Sequence, residues 1–162
     1  MSAVVANIAP SLKAEGFKKR RHSFNRTTEP GVTQVVHFQM GPSDPPGTTY
    51  FPPVRVNLYG KFTLNLGVFL DDVHYALGTG PVPAWINEYD CQLRQRIGLL
   101  LPAREDTWWS LDDVDAASAV VGDALGGYGF AWLDGVRTRH AIVSRYDLAG
   151  RSASVCRQPH RS

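Results

Sequence analysis

The chain has 162 residues, a formal net charge of +2, 43% hydrophobic and 20% charged residues. That balance suits one ordinary globular domain and excludes a disordered chain, although eleven prolines and fifteen glycines promise generous loops. Two cysteines exclude a disulfide scaffold, no apolar run reaches the length of a membrane span, and so small a net charge gives no argument of its own for nucleic acid.

The charge is unevenly spread. Lys13, Lys18, Lys19, Arg20, Arg21 and Arg26 crowd one end of the chain, Arg151, Arg157 and Arg161 the other, and acidic residues collect between Asp71 and Asp115. The stretch from Met1 to Ile8 lacks a basic n-region and is too short for a signal peptide. A cytoplasmic protein is expected.

Val4, Val5, Ile8 and Leu12 fall at helical spacing, which predicts an amphipathic helix over Ala3 to Glu15. Pro10 either kinks it or marks the first turn of a shorter helix, and Gly16 is a natural stop. The segment Phe17 to Thr27 is basic and interrupted by Phe24. Glu29-Pro30-Gly31 reads as a turn, and Val32 to Met40 as a strand with Val36, Phe38 and Met40 on one face and Val35, His37 and Gln39 on the other. Gly41 to Tyr59 is a long Pro-rich connection, the second half of which is expected to pack down as an extra edge strand.

From Gly60 to Leu70 the residues Phe62, Leu64, Leu66, Val68 and Leu70 alternate with Lys61, Thr63, Asn65, Gly67 and Phe69. This period of two predicts a strand with one face in a core and a largely polar second face. Gly78 to Pro83 is a loop. Tyr89 to Leu100 fits either a strand or a helix; the strand is favoured, because Gly98 and Pro102 suit a short segment. Ser110 is expected to cap a helix carrying Val114, Ala117, Val121 and Leu125, which Gly126-Gly127 would end. A second helical stretch is expected over Phe130 to Tyr146 with a break near Gly135, ending a domain at residue 149 and leaving 150–162 as a disordered basic tail.

Four segments in this order, Leu12 to Lys19 with Phe24, Val35 to Gln39, Gly60 to Phe69, and Asp90 to Gly98 with Trp108-Trp109, resemble the bacterial family described as domain of unknown function 4304. Tyr128-Gly-Phe-Ala-Trp-Leu-Asp134 is similar to a helix entry of that family. The resemblance implies an α+β fold: an antiparallel sheet of about four strands with an N-terminal helix and C-terminal helices packed on one face. It implies no catalytic residues and no cofactor.

The residues themselves point the same way. No His-x-x-x-His or Cys-x-x-Cys spacing suggests a metal, and Asp71, Asp72 and His74 sit where a strand ends. Cys91 reads as a small buried hydrophobe and His37 as its neighbour on the opposite sheet face, so no nucleophilic pair is expected; Cys156 reads as an exposed tail thiol. Gly78-Thr-Gly80 and Gly126-Gly-Tyr-Gly129 are incomplete as phosphate-binding loops, and Asp112, Asp113 and Asp115 suit a helix start.

A surface remains. Arg21, Ser23, Asn25, His37, Gln39, Thr63, Asn65, Gln92, Arg94 and Arg96 are expected to share a polar sheet face, with Trp109 or Trp108 as an exposed anchor beside it. The expected role is a non-enzymatic interaction protein of immunity or antitoxin type. It would bind an acidic protein partner through Arg21, Asn25, His37, Gln39, Asn65, Arg94, Arg96 and Trp109. Nucleic-acid binding through Lys18 to Arg21 and the basic tail, and an enzyme with an unrecognised site, are the alternatives.

Overall fold

The computed structural model describes residues 1–42 and 57–145. Most of the Pro-rich connection, its expected edge strand, Cys156 and the basic tail lie outside these residues.

The elements run α1 (Ser2–Ala14), β1 (Lys18–Arg20), β2 (Ser23–Glu29), β3 (Val32–Met40), β4 (Lys61–Leu70), α2 (Asp71–Ala76), β5 (Leu93–Arg96), β6 (Trp109–Ser110), α3 (Val114–Ala124) and α4 (Phe130–Asp134). All six strands form one antiparallel sheet in the order β1-β2-β3-β4-β5, with β6 paired to the start of β4. The fold is α+β, as the sequence implies, but the sheet has six strands rather than about four. The basic segment after α1 supplies two of them, a hairpin in which Lys18 faces Asn25 and Arg20 faces Ser23. Trp109–Ser110 adds the short sixth.

One face of the sheet carries the main core. Phe24, Val36, Phe38, Phe62, Leu64, Leu66 and Val68 are buried there against Val4, Val5, Ile8 and Leu12 of α1, Val121 of α3 and Leu133 of α4. Phe24, Phe38, Phe62 and Trp109 make an aromatic row across four strands, with successive ring centroids 6.1, 6.4 and 5.8 Å apart. Pro10 lies within α1 without ending it; its ring is on the exposed side, while the turns around it bury an apolar stripe.

The helical face also buries a polar network. Arg26, only 6% exposed, donates to Gln34 Oε1 at 2.7 and 3.2 Å and to the Glu15 carbonyl at 2.8 Å. Gln34, fully buried, donates onward to the Leu133 carbonyl at 2.6 Å. Two strands, the end of α1 and the end of α4 are thereby tied together. The Arg26 guanidinium also lies over the Phe17 ring, 4.6 Å from its centroid.

Three local expectations are corrected. Tyr89 to Leu100 contains a strand only over Leu93–Arg96, with a tight 3-10 turn on either side at Glu88–Asp90 and Ile97–Leu100. The cap of α3 is Asp113, whose carboxylate accepts from the Ala116 amide at 2.9 Å, while Ser110 belongs to β6. Gly126-Gly127 does not end the helix. A π-helical turn over Leu125–Gly129 carries it into α4, which keeps Leu125, Trp132 and Leu133 all directed inward. The expected break near Gly135 is present, with helix resuming over 139–145.

The second sheet face is not simply solvated. Every residue of β4 after Lys61 is buried, on both faces. Val35, Phe69, Ile86 and Cys91 form a smaller core there, because the segment between α2 and β5 crosses this face. Among the described residues no helix is long and apolar enough to cross a membrane.

Candidate functional site

Strand register decides which side chains meet on the second face. Arg20 pairs with Ser23, Ser23 with His37, His37 with Asn65 and Asn65 with Arg96, so one polar row crosses five strands. The next row runs Lys18, Asn25, Val35, Gly67 and Arg94, and Gln39 pairs with Thr63 beyond Asn65. The structure thus brings Asn25, His37, Gln39, Asn65, Arg94 and Arg96 to one face. Arg21 occupies the β1–β2 turn at its rim. Trp109 is not part of it; paired with Phe62, it closes the aromatic row on the helical side. Of the adjacent pair, Trp108 is the one that reaches this face, beside Arg96.

The row has two unlike ends. At the β5 end the arginines are internally engaged. Arg96 donates to both Asp106 carboxylate oxygens at 2.7 and 2.8 Å and lies 5.1 Å from the centre of the Trp108 ring, whose Nε1 donates to the same carboxylate at 3.1 Å. Burial alone would raise the Asp106 pKa, but the Arg96 and Trp108 hydrogen bonds and the Arg96 charge hold it below the usual aspartate value. Asn65 donates to Gln39 at 2.6 Å, and its oxygen accepts from Arg96 at 3.3 Å. Arg94 makes a two-pronged pair with Glu88 at 2.7 and 2.9 Å. The hydrogen bond to Glu88 raises the arginine pKa further. These arginines, expected to wait for a partner, are held by carboxylates of the chain's own loops.

The hairpin end is different. Among the described residues, Arg26, Arg94, Arg96, Arg137 and Arg139 each have a carboxylate partner, whereas Lys18, Lys19, Arg20 and Arg21 have none. Arg21 is exposed and sits at φ 55, a left-handed backbone that an L side chain adopts at some cost. Beside the hairpin is a cleft of about 370 Å³, walled by Arg20, Arg21 and His22 on one side and by Trp85 and Asn87 on the other, with Ser23 and His37 between them. A second cleft of about 500 Å³ lies beyond Trp85 and is lined by Lys18, Asn25, Thr33 and Asp71. The Arg20 guanidinium is 6.0 Å from the Trp85 ring centre.

Two polar atoms here lack partners. Ser23 Oγ and Asn25 Oδ1 are buried without a hydrogen bond, an arrangement that costs a fold about 1–3 kcal/mol per group. Both histidines are biased toward the neutral form. Burial lowers the His37 pKa, with Glu88 opposing and His22 assisting. Burial, the N-terminal ammonium and Lys19 lower that of His22.

Cys91 is buried as expected, but with Val35 and Phe69 on the polar side of the sheet rather than beside Leu93. Burial and the nearby Glu88 and Asp90 charges push its thiol pKa far up, away from the thiolate form that reacts. It packs where Gly67 leaves room: a Cβ there would lie 2.6 Å from Cys91 Sγ. Asp71 and Asp72 open α2, and the His74 ring packs 5.1 Å from that of Phe69 and meets Thr79 Oγ1 at 2.8 Å.

Trp85, His22 and Asn87 escape the sequence reading of the site, and Arg20 enters it only through the nucleic-acid alternative. The available signal was Trp85 itself, a large aromatic in a loop just after Pro81 and Pro83. Nothing in the pattern says that this loop folds back over the sheet.

No curated protein and no solved structure matches the chain. A family model does match, over residues 54–126. That stretch contains β4, β5, β6 and α3 together with the Trp85 loop, but not the basic hairpin. The model is described as domain of unknown function (DUF4304), the family that the ordered segments resemble, and residues 54–126 match it.

Proposed function

We propose that the protein is a non-enzymatic interaction protein that takes an acidic segment of a protein partner at the β1–β2 end of its polar sheet face. One observation carries the reading: the division of the arginines. Those at the β5 end are neutralised within the chain, while Lys18 to Arg21 stand, among the described residues, without carboxylate partners beside an aromatic side chain. Unpaired arginine next to tryptophan is the composition of an interface anchor. The left-handed backbone at Arg21 agrees, since a cationic side chain occupies a position that glycine or asparagine would fill with less strain. An immunity-like or antitoxin-like role fits a small protein of this type.

The test is capture of the tagged protein's partners from native lysate, with and without nuclease, for the wild type and for Arg20→Glu/Arg21→Glu. The expected result is a stoichiometric protein that survives nuclease and is lost with the double reversal. A partner retained by the reversal removes the hairpin from the interface. Recovery of nucleic acid, with proteins lost after nuclease, replaces this reading by the nucleic-acid alternative, in which Trp85 stacks on a base.

A further inference from the structure

The hairpin cleft has features that a merely basic surface lacks. Its floor carries Ser23, 8% exposed, whose hydroxyl has no partner. Trp85 forms an apolar wall, Arg20 lies against that wall, and among the described residues no acidic one lines the cleft. We infer that this cleft is a carboxylate pocket, which receives one Glu or Asp side chain of an extended acidic peptide between Arg20 and Ser23 and stacks the side-chain stem on Trp85. The inference rests on the acidic-partner reading and adds to it the pocket and the ligand chemistry.

The reasons for a short peptide, rather than a nucleic-acid strand, are local. Among the described residues Lys18 through Arg21 form a continuous run of cations without carboxylate partners, a strand and turn spanning roughly 10 Å. Beyond it the charge is already balanced: Asp71 lines the next cleft together with Lys18, and toward β5 Arg94 and Arg96 are held by Glu88 and Asp106. A polyanion following the face toward β5 would meet arginines that are already paired; a segment with one or two acidic side chains needs none of them. A peptide also brings backbone N–H donors, which a phosphodiester lacks, and Asn25 Oδ1 in the adjoining cleft is an acceptor without a donor. On binding, the Ser23 hydroxyl turns about χ1 to donate to the carboxylate while Arg20 supplies the charge.

The experiment is titration of the full chain at low salt with an end-blocked hexaglutamate peptide. Inorganic phosphate and a six-nucleotide thymidine strand are titrated in parallel, with backbone and indole amide NMR shifts as the readout. Hexaglutamate is expected to saturate and to move Trp85, Ser23 and His37. Ser23→Ala and Arg20→Gln should each weaken it about tenfold, the loss of one charge-assisted hydrogen bond. Ser23→Ala removes a hydroxyl that bonds nothing in the free chain, so it keeps the fold. Shifts confined to Lys18 and Lys19, or Ser23→Ala binding like the wild type, overturn the pocket while a partner that depends on Arg20 and Arg21 still upholds the proposed function. Tighter binding of the nucleotide strand, or phosphate reproducing the whole shift pattern at equal affinity, overturns the choice of an acidic peptide. Loss of both hexaglutamate binding and arginine-dependent capture overturns the pocket and the function together.

Discussion

Arginine at the surface of this sheet has two meanings, and the neighbours decide which. Arg94 compensates Glu88, a carboxylate only 9% exposed, so its removal strands a buried acceptor. Arg94→Glu should lower the unfolding free energy by about 1–3 kcal/mol. Arg20→Glu, which breaks no ion pair among the described residues, should stay within about 0.5 kcal/mol of the wild type. Urea unfolding of the two variants side by side checks this, and equal losses would remove the distinction on which the interface rests. Arg21 gives a sharper contrast. Arg21→Gly relieves the left-handed backbone at φ 55 and should stabilise by about 1 kcal/mol while weakening partner binding. A melting temperature that falls would mean that the turn depends on the arginine side chain. Which arginines were paired was not legible in the sequence. Glu88 and Asp106 lie outside every strand, and alternation assigns faces without saying which loop returns to cover them.

The strands show where a sequence pattern suffices. Period two in β4 and β3 gives the strands, their faces and the polar composition of the second face, and the register of His37 against Asn65 agrees. The β1–β2 hairpin was hidden because Lys18 to Arg20 is wholly exposed and has no apolar alternation to read. The crossing segment was hidden for the opposite reason. Val82, Ile86 and Cys91 are too irregularly spaced for either period, yet they bury a second small core on Val35 and Phe69. Gly67 is the one strand residue that betrays it, since a glycine amid β-formers marks a close approach by another chain segment. Gly67→Ala would place a methyl 2.6 Å from Cys91 Sγ and 2.9 Å from Cys91 Cβ. The segment must then lift, which should cost about 1–3 kcal/mol as overpacking. Because Trp85 rides on the same segment, its indole resonance should move as well. A variant with native stability and an unmoved Trp85 would show that the segment is not seated on β4.

At the scale of the molecule, a sheet whose central strand β4 is buried on both faces couples its fold to its proposed ligand through the two histidines. His37 and His22 have pKa values lowered from 6.5, chiefly by burial. In the unfolded chain they take protons first, so between pH 7.5 and 5.5 the unfolded state binds more protons than the folded one. Stability is full above about 6.5 and falls as the pH drops through the lowered values. Asp106, also depressed, adds a loss in the same direction, but at the lower pH where carboxylates titrate. A bound carboxylate reverses the sign for the histidines, because an anion in the cleft favours the imidazolium form. Acid should therefore weaken the free protein and tighten its hold on an acidic segment. Urea unfolding at pH 7.5 and 5.5, with and without hexaglutamate, separates the two effects: the free chain loses stability, and the increment from the peptide grows. His37→Gln should flatten both trends without abolishing binding at pH 7.5, because at that pH the charge comes from Arg20 and Arg21. A free chain whose stability does not change over this interval would mean that the two imidazoles accept protons as readily in the folded sheet as in water. Peptide binding would still tighten at pH 5.5 in that case, because the anion acts on the imidazole pKa of the folded chain itself.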